Sequence, residues 1–248
     1  MDEWHYDSAR DLDKSLAESL RYFPREPSMW TFATRSAAGL FIRGCLRVFH
    51  HFRVTGLENI PKDSAFVLVA NHSSHWDAIC LISMLPFHMR HRIFPAAAAD
   101  YFFTALPRVM FSSIIVNALP FHRTAGPQQS LKICQQLLKT PGNVLILFPE
   151  GTRSTTGELG EFKPGIGLLL RGCAVPVLPC AIKGAYESWP KGRRLPRLTR
   201  LSVVVGTPMR FDEVAPGKGG AKEIALQLQE AVQNLLEGGD GAPTSSDS

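Results

Sequence analysis

The sequence predicts an α/β fold: a largely parallel central sheet flanked by helices, with an N-terminal amphipathic helical segment at a membrane interface. Three observations predict it. Short runs rich in Val, Ile, Leu and Phe at 65–70, 144–148, 175–182 and 201–205 have the length and composition of buried strands. Stretches with helical spacing separate them, and that alternation is the rhythm of a parallel sheet with crossover helices. Upstream, residues 29–57 hold Arg35, Arg43, Arg47 and Arg53 and not one aspartate or glutamate. At 248 residues, 45% of them hydrophobic, the chain suffices for one sizeable domain, and nothing in it marks a second core.

In chain order, residues 1–28 mix acids and bases, and Asp7 to Arg21 is expected to form a short helix ending before Pro24 and Pro27. The acidic opening without an apolar segment is not that of a secretory signal. Within 29–57, Trp30, Ala33, Leu40, Phe41, Cys45, Val48, Phe49 and Phe52 return at helical spacing. A cationic, aromatic-rich amphipathic helix suits the headgroup layer of an anionic membrane, although a helix packed on its own domain has the same periodicity. The chain divides into a membrane-associating helical segment at 1–51, a main domain at 52–236 and a disordered Gly/Ser/Pro/Asp tail at 237–248.

In the main domain, Ala65 to Ala70 follows Pro61, Lys62 and Asp63 as a buried strand, and Trp76 to Leu85 reads as a helix stopped by Pro86. Arg92 to Pro95 and the alanines after it read as a strand running into a loop and helix. Tyr101 to Phe121 reaches the roughly 20 residues of a membrane span. It is interrupted by Pro107, Arg108, Ser112, Ser113, Asn117 and Pro120, which predicts buried or interfacial helices and a monotopic protein. Pro127 to Leu138 is an amphipathic helix with Leu131, Cys134, Leu137 and Leu138 inward, and helices are also expected at 166–171 and 219–236. The five cysteines are odd in number, scattered and set in apolar runs, so they read as reduced packing residues.

Function concentrates at strand ends, where α/β sheets bind ligands. Asn71-His72-Ser73-Ser74-His75-Trp76-Asp77 follows the first of the buried strands. Asp77, in the first helical turn, is within reach of His72 Nδ1, a pairing that fixes the tautomer and leaves Nε2 as a proton acceptor. An aspartate at a helix start also serves as a cap, and His72, His75 and Asp77 are all metal-ligand types. No Cys or His pair follows at zinc-site spacing, so no metal is expected. Phe148-Pro149-Glu150-Gly151-Thr152-Arg153-Ser154, Phe162-Lys163-Pro164-Gly165 and Leu119-Pro120-Phe121-His122-Arg123-Thr124 each place cations and donors where phosphate is a natural partner.

The block from His72 to Asp77 resembles the His-x4-Asp block of the glycerolipid acyltransferases, and Phe148 to Ser154 is identical to their Phe-Pro-Glu-Gly-Thr-Arg-Ser block. Pro120 to Arg123 stands where that family has its second block and Val175 to Pro179 where it has its fourth, so the likeness spans about residues 50–210. The whole resembles the bacterial 1-acyl-sn-glycerol-3-phosphate acyltransferases.

The resemblance implies transfer of a fatty acyl group from acyl-CoA or acyl carrier protein to a lysophospholipid hydroxyl, without metal or organic cofactor. His72 would be the base and Asp77 its partner. Arg153, with Glu150, Gly151 and Thr152, would shape the acceptor's phosphate and glycerol pocket. Arg123 would add charge there, and Lys163 would be a further phosphate contact. For Val175 to Pro179, acyl-pocket wall and core packing both stay open.

The sequence departs from the family at His122, where an acid often stands, and at Ala96 to Ala99, where many relatives carry a lysine. His75 is a second histidine inside the first block, expected to be secondary because no aspartate matches it. The basic stretch 183–200 suggests anionic lipid, coenzyme phosphates or an acidic carrier rather than nucleic acid, for which no motif is present. The expected place of work is the cytoplasmic face of the membrane, held peripherally. Glycerol 3-phosphate, other lysophospholipids or a lyso-aminolipid remain alternative acceptors, and a non-catalytic phospholipid-binding protein remains an alternative class.

Overall fold

The computed structural model describes residues 29–98, 111–121, 127–214 and 218–238. The expected helix at Asp7 to Arg21, the tail from 239, Ala99 and the loop carrying His122 and Arg123 lie outside them.

Six α-helices and seven strands are described: α1 (Met29–His50), β1 (Arg53–Thr55), β2 (Phe66–Ala70), α2 (Asp77–Met84), β3 (Ile93–Ala98), β4 (Leu119–Phe121), α3 (Pro127–Leu138), β5 (Val144–Leu147), α4 (Gly165–Leu170), β6 (Val177–Lys183), α5 (Ala185–Ser188), β7 (Ser202–Val205) and α6 (Lys218–Glu237). The strands form one sheet in the order β1-β7-β6-β2-β5-β3-β4. Every adjacent pair is parallel except β6 with β7. This is the expected architecture.

Successive side chains of a strand face opposite ways, and the apolar strands use both faces. Phe66, Leu68 and Ala70 of β2, with Val144 and Ile146 of β5, join the core under α2 and the inner face of α1. Val67, Val69, Leu145 and Leu147 join the core under α3, α4 and α6. Helices on both faces therefore make a three-layer fold. Gly167 of α4 allows the closest of these packings, since a Cβ there would stand 1.9 Å from the Ala221 carbonyl oxygen of α6.

Two expectations change, and one open question closes. The four arginines at 29–57 are not one cationic face. Arg35 is buried and donates to the Ser113 and Ile114 carbonyls, and Arg43 donates to those of Ser83 and Leu85. Carbonyls left open at chain turns satisfied by guanidinium groups explain why these residues point inward. Arg35, Gly39, Leu46 and His50 form the buried stripe of α1, while Trp30 and Phe41 are 84% and 73% exposed. The stretch 101–121 is not wholly helical, because Phe111–Ile115 is a π-helical turn and Leu119–Phe121 pairs with β3 at the sheet edge. A three-residue edge strand leaves little periodicity to read. Val177 and Leu178 of the fourth block lie in the core, and residues 175–179 do not line the cavity described below. No described helix is long and apolar enough to cross a membrane.

Replacing Gly167 with alanine sets a methyl against backbone, which cannot rotate away. The expected cost is about 1–3 kcal/mol, a fall in Tm of roughly 3–10 °C. Calorimetry checks it, and an unchanged Tm would contradict the packing of α4 on α6.

Candidate active site

The carboxyl ends of β2 and β5 are neighbours, because Val69 pairs with Leu147 in parallel register. The chain after each strand therefore emerges at the same edge of the sheet. After β2, Asn71 extends the pairing by its side chain: its amide donates to the Ile182 carbonyl at 3.0 Å and its oxygen accepts from the Ile182 N–H at 2.8 Å. The turn then closes on Asp77, which is fully buried. Asp77 Oδ2 accepts from the N–H groups of Ser73 and Ser74, both at 2.7 Å, and stands 2.8 Å from His72 Nδ1. A carboxylate accepts only, so Nδ1 carries a proton, and in the neutral ring Nε2 is the acceptor.

The loop after β5 fixes His72 from the other side. Glu150 Oε1 accepts from the His72 N–H at 2.6 Å, and the Ser154 N–H donates to the His72 carbonyl at 2.7 Å. Phe148 stacks on the imidazole, centroids 4.2 Å apart. Gly151 makes the loop turn at φ 72°, a conformation that favours glycine, and a Cβ there would come within 2.8 Å of Lys163 Nζ, a contact the flexible lysine can relieve by moving.

His72 lines a cavity of about 500 Å³, within the range of ligand pockets. Arg153, Lys163 and Gly151 are on its wall with His75 and Trp189. Its remaining lining is largely apolar, with Ala96, Val116, Ala118, Leu131 and Leu169 among the contributors. Arg153 Nη1 stands 2.6 Å from His75 Nε2 and 2.8 Å from Nδ1. Burial first, then the guanidinium, hold His75 down at about 4. Near neutral pH it is therefore an uncharged ring that accepts from Arg153 and packs on Trp189, centroids 4.9 Å apart.

Of the residues singled out in the sequence, His72, Asp77, Gly151, Arg153 and Lys163 come together here. Glu150 is turned away from the cavity. Its second oxygen accepts from the Gly160 N–H at 3.0 Å, and burial pushes its carboxyl above the usual range while the two N–H donors oppose that. It positions the His72 backbone. Thr152 is exposed and does not line the cavity. Arg123 lies outside the described residues. Sequence reasoning missed Asn71, Trp189 and the backbone role of Glu150. The signal available was the placement of Asn71 and Glu150 at strand exits and of Trp189 in a basic stretch, which says nothing of which distant group each meets. Among the described residues no group of three or more His, Cys, Asp or Glu is placed to hold a metal ion.

A protein-family model described as Acyltransferase matches residues 51–183. A 1-acyl-sn-glycerol-3-phosphate acyltransferase of Bacillus subtilis is 26% identical over 199 residues, covering 79% of this chain and 90% of that protein. A chloroplastic protein of the same name from Brassica napus is 32% identical over 150 residues, and the match covers 58% of this chain and 40% of the plant protein. The match to a second chloroplastic protein of that name, from Arabidopsis thaliana, likewise spans 39% of its length. The crystal structure of the 1-acyl-sn-glycerophosphate acyltransferase PlsC from Thermotoga maritima superposes with a TM-score of 0.65 at 25% identity, covering 91% of this chain and 89% of that one.

The lowered His75 makes a pH prediction. Between 6.5 and about 4 the unfolded chain binds a proton that the folded chain does not, so stability falls as pH falls through that window. His75→Phe removes this component. Urea unfolding across pH 4–7 should show a shallower acid loss in the variant than in the wild type, and parallel curves would contradict the neutral His75.

Proposed function

The chain belongs to the acyltransferase family, and we propose that it transfers a fatty acyl group from a thioester donor to the free hydroxyl of a lysophospholipid. The acceptor best supported is 1-acylglycerol 3-phosphate, giving phosphatidate, in line with the activity that names its bacterial and plant relatives. One observation carries the reading: His72, with Nδ1 held by Asp77 at 2.8 Å, lines an apolar cavity whose wall also carries Arg153 and Lys163.

The mechanism follows from what each group can do. His72 Nε2 takes the proton from the acceptor hydroxyl as its oxygen attacks the thioester carbonyl. Asp77 keeps the ring oriented and offsets the charge of the imidazolium that forms. The C–O bond forms, the carbonyl oxygen becomes an oxyanion, and its collapse breaks the C–S bond. The thiolate leaves with the proton held on His72. Arg153 and Lys163 supply the charge and donors that a phosphate monoester requires, in a site whose apolar walls strengthen those interactions. The apolar part of the cavity suits an acyl chain. No step calls for a metal or organic cofactor.

Acyl-CoA and acyl carrier protein both present such a thioester in the cytoplasm. The working position proposed is therefore the cytoplasmic face of the membrane, with the protein bound peripherally.

Thiol release from palmitoyl-CoA by the purified protein, with and without 1-acylglycerol 3-phosphate, tests the reading. Release should require the acceptor and yield phosphatidate. His72→Ala should lower kcat by about 10² to 10⁴-fold. Arg153→Ala should raise the acceptor KM roughly tenfold or more, as loss of a charge-assisted contact does. No release with this acceptor, other lysolipids or glycerol 3-phosphate, from either donor type, would return the protein to phospholipid binding without turnover. Full activity in His72→Ala would remove the base assignment.

A further inference from the structure

Residues 190–200 join α5 to β7. They hold Lys191, Arg193, Arg194, Arg197 and Arg200, and no aspartate or glutamate stands between Glu187 and Asp212. The segment has no helix or strand, yet its path is set by hydrogen bonds. Trp189 Nε1 donates to the Arg193 carbonyl at 3.0 Å, and the Arg197 N–H donates to that of Ser188 at 2.9 Å. Ser188 Oγ donates to the Arg197 carbonyl at 2.6 Å, and Thr199 Oγ1 to that of Gly184 at 3.0 Å. In this fixed frame Leu195 and Leu198 are 77% and 72% exposed. Leucines held in solvent between arginines mark a surface made for something both anionic and apolar.

Its two ends say where that surface lies. Thr199 offers its carbonyl to His50 Nδ1 at 3.0 Å, and the Leu201 N–H donates to the His50 carbonyl at 3.0 Å. His50 is the last residue of α1, and the turn before it leaves Arg47, Val48 and Phe49 exposed. The loop thus packs its end against the last residue of a 22-residue helix, about 33 Å long, next to the exposed residues of that helix's final turn. At its other end Pro190 bridges to Ser74, and Trp189 lies on the cavity wall beside His75. One element therefore links the C-terminal end of α1 to the turn that carries His72.

We propose that residues 191–200 are a docking loop for an anionic lipid surface, seated in the headgroup layer beside the exposed side of α1 so that the cavity opens at headgroup depth. The argument for lipid over an acidic carrier protein is continuity. A carrier would meet the cations of the loop, but it leaves the apolar length of α1 without a partner, whereas a bilayer surface covers both. The purpose of the docking rests on the acyl-transfer reading; the binding itself does not.

The test uses the full chain and two double variants, Arg194→Gln with Arg197→Gln and Leu195→Ser with Leu198→Ser. All four side chains are exposed and outside the cavity, so melting temperatures should match the wild type. Co-sedimentation with vesicles of equal parts phosphatidylglycerol and phosphatidylcholine should show partitioning reduced about thirtyfold by the loss of two charges. The loss of two leucines should reduce it about tenfold or more. Turnover of vesicle-borne 1-acylglycerol 3-phosphate should fall in parallel, and turnover of a short-chain, water-soluble acceptor should stay at the wild-type rate.

Wild-type partitioning in both variants overturns the proposal. Intact vesicle binding with turnover lost only from an acyl-carrier-protein donor overturns it in favour of carrier docking. Absence of turnover with every acceptor, while the variants still release the vesicles, overturns the acyl-transfer reading and supports the docking loop.

Discussion

One carboxylate oxygen holds the candidate site together. Asp77 Oδ2 takes the N–H groups of Ser73 and Ser74 and the Nδ1 of His72, so the atom that shapes the turn after β2 also orients the ring. Removing it would leave two buried N–H donors unmet, which costs about 1–3 kcal/mol for each. The turn and the tautomer are thus not separable features. A chain that folds this turn correctly also presents Nε2 to the cavity side.

The sheet explains why the block from Phe148 to Ser154 matters. Parallel neighbours β2 and β5 end at the same edge, and the loop after β5 reaches across to bond the N–H and the carbonyl of His72. Glu150 contributes through the main chain of His72, not through the cavity. The ligand-facing duties pass to Arg153 and Lys163, with Gly151 turning the loop beside them. His75, neutral against Arg153, adds no positive charge of its own near neutral pH, and the ion-pair partner of Asp77 is His72.

Much of this was legible in the sequence for identifiable reasons. α3 has the bounds its periodicity predicts, and β2, β5, β6 and β7 lie where buried apolar runs stand, because strands covered on both faces carry no competing pattern. That Asp77 can reach His72 Nδ1 was readable from their spacing, since the contact is local, while cap and metal readings stayed open on spacing alone. What was not legible depends on contacts distant in sequence. Arg35 and Arg43 look like surface cations until the carbonyls of Ser113, Ile114, Ser83 and Leu85 are placed beside them. Asn71 meets Ile182 and Glu150 meets His72 across 111 and 78 residues of chain, and no local pattern encodes either. β1 and β4, three residues each, are too short to show a period.

The central claim is that Asp77 takes the His72 Nδ1–H, so that whenever the ring is neutral it is the Nδ1–H tautomer with Nε2 free to accept a proton. Long-range ¹H–¹⁵N correlation spectra of the eight histidines near pH 8, with His72 assigned by its absence in His72→Gln, test this most directly. The account predicts the Nδ1–H tautomer for His72 in the wild type and its loss in Asp77→Ala. A His72 protonated on Nε2, or a tautomer indifferent to Asp77, would contradict it.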